Sequence, residues 1–482
     1  MSGTLSSPGI GSKLDVKSIV AELTAVESKP VQLLAAQQKT VQAKLSSFGL
    51  LKNYLGNLKD AAVRLSDPSL WKSTAATSSN AAVATVASSA NSTPGSYHLQ
   101  VDRLAQAQTL VSAPVADSKA DLGAGTLRIE LGTWSDDAGS FTAQSGTNPV
   151  SIALPDTPSS LDAIRERINA AKAGVTASVL RDATGARLVV KSSATGAENA
   201  VRITASGSQD GDPAPPGLAA LAYDPAAGSN GLSRAQPGQN ASVTLNGVAL
   251  SSPGNVLDGA VDGLTITLQQ AGAATELKVV DDTAAMKKAI ANFAAAYNDA
   301  TSYIAGQTAY DAANRKGQPL QGDAVTMQLQ RQLATALRDS TGASTRLPTL
   351  VAVGVHLDAN NALVLDDRKV DAALADPSQA AQAFAHVDVD NPKNSGFGVR
   401  FADLARGMLG SDGALTRGSQ ALSDRIRSTQ ARQDQMTERV NQYQARLLKQ
   451  YSALDQTVSA ASGQASYVAQ QMALLAKNSR SG

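Results

Sequence analysis

The feature that most constrains this chain is a heptad-spaced apolar seam at each end. Toward the N-terminus, apolar side chains fall at Val41, Leu45, Phe48, Leu51, Leu55, Leu58, Ala62 and Leu65. The steps alternate four and three, with one doubled three at Phe48–Leu51. That pattern is a coiled-coil seam carrying one stammer. The C-terminal stretch repeats it from Leu422 through Ile426, Thr429, Gln433, Met436, Val440, Tyr443 and Leu447. It continues through Tyr451, Leu454, Val458, Ala461, Ala465, Val468, Met472 and Leu475. Leu447–Tyr451 doubles the four-step, a stutter, and no proline follows Leu415. A stripe this narrow does not stabilise an isolated helix in water. The two ends therefore need each other or neighbouring copies.

The spacing predicts an antiparallel pair of terminal helices that orders on assembly. The candidate self-association positions are Val41, Leu45, Phe48, Leu55, Leu58, Met436, Val440, Tyr443, Leu447, Tyr451, Leu454, Val458, Val468, Met472 and Leu475. A plain intramolecular helix hairpin is the alternative. Asp15 reads as the N-cap of a helix over Val16–Val26, and Pro30 fits only a first turn or a kink.

Between Trp71 and Val280 the texture changes to Ser, Thr, Gly, Val and Ala with period-two alternation. Strands are expected at Val83–Ser88 and Tyr97–Val101 around a Pro94-Gly95 turn, at Leu127–Leu131 and at Val150–Leu154. Leu161–Ala171 reads as a short amphipathic helix capped by Ser159 or Ser160. Val175–Leu180 and Arg187–Lys191 form an expected hairpin. A second, Val243–Leu245 with Val248–Leu250, turns on Asn246-Gly247. Leu264–Leu268 and Leu277–Val280 close the region, and Gly207–Asn240 reads as a long loop or linker. Helices return at Asp282, with Met286, Ile290, Phe293, Tyr297 and Ile304 on one face, and Asp323 caps another helix. Val351–Leu357 and Ala362–Leu365 are expected to pair as a hairpin.

The fold class is thus α+β: a terminal coiled-coil stalk with β-rich domains inserted between its helices. The expected division is a coiled-coil leg (1–45 and 440–482), a helical bundle (46–72 and 282–439, with a hairpin near 351–366), a β-rich domain (73–116 and 240–281) and an inserted β-rich domain (117–239).

The inventory of chemistry is poor. The chain has no cysteine, which removes disulfides, thiol nucleophiles and thiolate metal sites. His98, His356 and His386 share no ligand spacing. No HExxH, P-loop, GxGxxG or GxSxG motif occurs. Ser69-Leu70-Trp71-Lys72 matches SxxK by spelling only. Asp358-Ala-Asn360 opens like a calcium loop, but Leu363 and Lys369 stand where that loop needs Gly and Glu. Asn91-Ser-Thr93 and Asn240-Ala-Ser242 fit the glycosylation sequon. With 42 Lys and Arg against 41 Asp and Glu, net charge argues against nucleic acid or an anionic membrane as main partner. No apolar run is long enough to span a membrane, and Met1–Asp15 lacks the regions of a cleavable signal peptide. No cofactor, metal or catalytic residue is expected.

Gly9-Ile10-Gly11-Ser12-Lys13-Leu14-Asp15 resembles the start of the flagellar hook-associated protein 2 family, which tends to have Gly where Lys13 stands. Glu27-Ser28-Lys29-Pro30 and Leu45–Lys52 fit the same family. Leu161–Asn169, Gly174–Val179 and Ala186–Val190 resemble its flagellin hook IN repeat, here about 150–205. Ala241–Gly247, Asp258–Leu268, Phe293–Asn298, Leu320–Asp323, Val353–Val355, Leu363–Asp366 and Gln464–Leu475 resemble its C-terminal half.

The resemblance implies a secreted structural protein: a ring of identical subunits, commonly a pentamer, capping the filament tip. It implies retention and folding of flagellin there, export without a cleaved signal, contact with hook–filament junction proteins and an export chaperone at the C-terminal helix. Another flagellar axial protein is one rival reading. A glycan-binding adhesin, with Trp134, Phe141 and Tyr223 as its candidate aromatics, is the other.

Overall fold

The structure is a computed structural model and describes residues 15–89, 92–155, 159–208, 212–313 and 315–478. The chain divides into two compact units, one of residues 1–71 with 283–482 and one of residues 72–282.

The helical unit opens with α1 (Val16–Glu27) and α2 (Lys29–Ser66). The β-rich unit follows. Its first strands are β1 (Thr74–Ser78), β2 (Ala84–Ser88), β3 (Gly95–Arg103), β4 (Thr109–Ser112), β5 (Gly125–Trp134), β6 (Phe141–Ala143) and β7 (Val150–Leu154). Helix α3 (Leu161–Ala171) leads to β8 (Val175–Asp182), β9 (Gly185–Ser192) and β10 (Ala200–Ser206). Then come α4 (Pro216–Ala219), β11 (Tyr223–Asp224), β12 (Ser229–Asn230) and β13 (Leu232–Gln236). The unit ends with β14 (Ala241–Leu245), β15 (Val248–Ser252), β16 (Val256–Val261), β17 (Leu264–Leu268) and β18 (Ala273–Asp281). The helical unit resumes with α5 (Thr283–Thr308), β19 (Tyr310–Asp311), β20 (Lys316–Gly317), α6 (Ala324–Arg338) and α7 (Leu350–Val353). It continues through β21 (Val355–Leu357), β22 (Leu363–Leu365), α8 (Asp367–Leu374), α9 (Pro377–Ala385), α10 (Phe397–Leu409) and α11 (Ala414–Asn478). The α+β class expected from the sequence is the class observed.

In the β-rich unit, β1-β18-β3-β14-β15 form one sheet and β16-β17-β2 another, around a core that includes Leu99, Val101, Val243, Ile266 and Leu277. A second core lies among β12-β11-β10-β5-β6, β13-β4-β9-β8 and α3 and buries Leu127, Ile129, Ile164, Ile168, Leu188 and Val201. The buried Glu130 carboxylate on β5 accepts from Arg128 (2.8 Å) and from Arg202 Nε on the adjacent β10 (2.7 Å). Burial alone would raise its pKa, but these two guanidinium partners outweigh that and hold it below the usual glutamate range.

Several local readings hold. Asp15 accepts from the Ser18 amide at 3.0 Å and starts α1, and Pro30 occupies the first turn of α2. Ser160 caps α3 by accepting from the Ala163 amide. Asn246 and Gly247 both take positive φ, as a tight two-residue turn requires, and carry β14 into β15.

Three readings need correction. β2 pairs with β17, whereas β3 pairs with β14 and β18, so Pro94-Gly95 does not join two paired strands. Most of 207–240 is built structure rather than linker: Leu218, Leu221, Tyr223 and Leu232 are buried in the second β core. Val351–Val353 belongs to the short helix α7, capped by Thr349 and ended by Gly354 at φ 102°, so the hairpin begins only at Val355. Gly9–Leu14 and Asn91 lie outside the described residues.

Candidate self-association surface of the terminal helices

α11 runs antiparallel to α2 and α1. Near its start Gly418 lies against Phe48; a Cβ there would meet the ring at 2.7 Å, so only glycine permits this approach. Further along, Gln38 Nε2 donates to Gln430 Oε1 at 2.9 Å. Glu27 and Arg439 form an ion pair at 3.8 Å. Last, Val16 and Val20 of α1 bury against Leu447, with Tyr443, Leu448 and Tyr451 packed around them.

The candidate seam residues accordingly separate into three groups. Phe48, Leu55 and Leu58 are at most 1% exposed and belong to the core of the helical unit, with α5 and α10 residues such as Phe293 and Phe401. Val41, Val440 and Leu447 are buried, and Leu45, Met436, Tyr443 and Tyr451 half-buried. Leu454, Val458, Val468, Met472 and Leu475 are 46%, 36%, 57%, 64% and 62% exposed.

Val16, the first residue of α1, lies against Leu447. From Ser452 to Asn478 the chain continues as helix. At the rise of an α-helix, this overhang is roughly 40 Å long. The strict heptad persists through it. Tyr467 and Leu474, one residue before Val468 and Leu475, are 63% and 59% exposed and widen the stripe. Between Gln450 and Ala476 the only charged side chain is Asp455. Such a stripe has no way to bury itself except against another chain or another segment. Two features of the pair were not singled out from sequence: the close approach at Gly418, and a row of arginines spaced seven apart on α11. The row was legible as spacing; the approach required the helix partner.

Midway along α2, Lys44 Nζ contacts the Asp323 carboxylate at 2.6 Å, while Asp323 also accepts from the Thr326 amide and caps α6. Burial would raise the Asp323 pKa; the Lys44 and Thr326 bonds overcome it and hold the group below the usual aspartate range. Among the described residues no cluster of His, Cys, Asp and Glu is arranged to hold a metal ion, and no helix is long and apolar enough to cross a membrane.

Long terminal helices that pair across sequence-distant ends, with β-rich segments inserted between them in the chain, define an α+β protein built on a terminal-helix stem. Models of the flagellar hook-associated protein 2 N-terminus and C-terminus match residues 12–108 and 238–462, and a flagellin hook IN motif model matches residues 140–194. The chain belongs to the flagellar hook-associated protein 2 family. It is 29% identical over 479 residues to flagellar hook-associated protein 2 of Escherichia coli strain K12, covering 97% of this chain and 98% of that one. It is 27% identical to the A-type flagellar hook-associated protein 2 of Pseudomonas aeruginosa, covering 93% of each chain. The crystal structure of the flagellar cap protein FliD D1-D2-D3 domains from Escherichia coli superposes with a TM-score of 0.61 at 29% identity, covering 78% of this chain and 99% of that chain.

Proposed function

We propose that this chain is a flagellar filament cap: copies of it assemble at the distal tip, outside the cell, and hold arriving flagellin so that it folds and inserts. The observation that carries this reading is the open heptad stripe from Leu454 to Leu475, which gives identical subunits a surface to share. Family membership and the likeness to a flagellar cap structure support it. A closed ring of a few copies, commonly five in the family, satisfies the stripe without leaving an open end. Hook–filament junction proteins and an export chaperone for the C-terminal helix are its expected further partners.

The stem is suited to a cap that must hold on and yet shift as each subunit inserts. Thr429 and Gln433 occupy seam positions, so those turns bury little apolar area and contribute little at about 25 cal/mol per Å². A strain lacking this chain is expected to secrete monomeric flagellin and to lack filaments. The full chain restores them, whereas a chain ending at Tyr451 does not. Full restoration by the shortened chain contradicts the proposal.

A further inference from the structure

Arg425, Arg432, Arg439 and Arg446 follow one another at seven-residue intervals along α11. Each precedes a seam residue (Ile426, Gln433, Val440, Leu447), so the four line one flank of the seam. The other flank, Gln430, Thr437 and Gln444, is uncharged. All four arginines are exposed. Among the described residues, Arg425 and Arg432 make no ion pair. Arg439 reaches Glu27 only at 3.8 Å, and the Arg446 guanidinium lies 6.0 Å from the Tyr443 ring centroid. By contrast Arg427, off this row, pairs with Asp424 on the same helix. The row is therefore a line of largely uncompensated positive charge, about 32 Å long at the rise of an α-helix.

Arg432 and Arg439 also border a groove between α2 and α11 of about 520 Å³. Leu33, Leu34 and Met436 line it. Leu33 is 65% exposed, an apolar side chain left in solvent beside a cationic rim. An apolar groove flanked by cations at heptad spacing complements one kind of ligand well: a helix whose apolar stripe is flanked by carboxylates at the same spacing. A second copy of this stem is the wrong occupant. α1, α2 and α11 together carry 15 Lys and Arg against 7 Asp and Glu, so two stems meeting here bring like charges together. A lipid surface or other polyanion uses the charge but not the narrow apolar groove between two helices.

We propose that the α2–α11 groove docks an acidic amphipathic helix from another protein, with Leu33, Leu34 and Met436 taking its apolar stripe and the arginine row its carboxylates. This does not depend on the cap reading.

The test uses the full chain and a fluorescein-labelled three-heptad peptide with Leu at its seam positions and Glu on both flanks, read by fluorescence anisotropy. A matched peptide with Gln in place of Glu is the control. The Glu peptide is expected to bind about tenfold more tightly than the Gln peptide and to weaken as salt rises. Binding should fall about tenfold in the quadruple variant R425Q/R432Q/R439Q/R446Q and about fivefold in Leu33→Ser. These side chains are exposed, and unchanged circular dichroism verifies that each variant is folded. Equal binding by the quadruple variant and the wild type overturns the proposal. So does loss in the quadruple variant with none in Leu33→Ser, since charge alone then accounts for binding. Tighter arginine-dependent association with phosphatidylserine vesicles than with the peptide identifies a lipid surface instead, and also overturns it.

Discussion

The side chain of Asn298 on α5 brackets the backbone of Leu363: its amide donates to the Leu363 carbonyl at 2.9 Å, and its carbonyl accepts from the Leu363 amide at 2.7 Å. One asparagine thereby takes the place of a neighbouring strand along the outer edge of β22. Asn169 does the same for Ala177 on the edge strand β8, at 2.9 and 2.8 Å. Asn255 brackets Ala105. The first two cover part of an unpaired strand edge that could otherwise template aggregation; the third ties down the loop after β3.

Asn298→Ala leaves both backbone groups of the buried Leu363 without their partner and is expected to cost about 1–3 kcal/mol. Urea unfolding followed by the fluorescence of Trp71, buried and stacked on Phe384, reads this in the helical unit. Asn169→Ala is expected to shift the Trp134 signal of the β-rich unit instead, by a similar amount.

Gly418→Ala should destabilise the helical unit despite the better helix propensity of alanine. Propensity favours the change by about 1 kcal/mol. Forcing a methyl to 2.7 Å from the buried Phe48 ring costs about 1–3 kcal/mol. Adding Phe48→Leu, which vacates the contact, should recover part of the loss in the double variant relative to the sum of the singles.

Gln433 Oε1 is buried and has no hydrogen-bond partner among the described residues. Gln433→Leu removes that acceptor and adds apolar seam, and is expected to stabilise the helical unit by about 1 kcal/mol. Together with Thr429→Leu it should also slow filament growth, measured as filament length over time. Unchanged growth with raised stability separates seam strength from assembly rate and contradicts the adjustable-seam account.

Acid sensitivity has a definite sign. Glu130 and Asp323 hold their protons less tightly when folded than when unfolded. The unfolded chain therefore binds more protons in acid. The stability these groups contribute is present above their ordinary values, 4.5 and 3.8, and is lost as pH falls through the lower folded values. Glu130→Gln should flatten the acid limb of the Trp134 transition, and Asp323→Asn that of Trp71.

Much of this fold is written in local signals. Asp15, Ser160 and Asp323 cap helices because a short acceptor side chain precedes an apolar-periodic run in each case. The Asn246-Gly247 hairpin follows from two residues that tolerate positive φ. What stayed hidden depends on distant partners. The very short strands β11 and β12 exist because Tyr223 pairs with Ile203 and Asn230, which no local pattern announces. Val351 and Val353 are β-branched, yet Thr349 and Gly354 close a helical turn around them. The candidate surface was half legible. The heptad named its positions, but not which of them the folded chain buries: Phe48, Leu55 and Leu58 pack with α5 and α10 residues, and Leu447 against Val16 and Val20 of α1.

The most direct test of the account is the mass of the protein in solution, by light scattering, for the full chain and for one ending at Tyr451. Assembly through the overhang predicts a closed particle of a few subunits for the full chain and a folded monomer for the shortened one. A full chain that stays monomeric at high concentration, or a shortened chain that assembles as well as the full one, contradicts it.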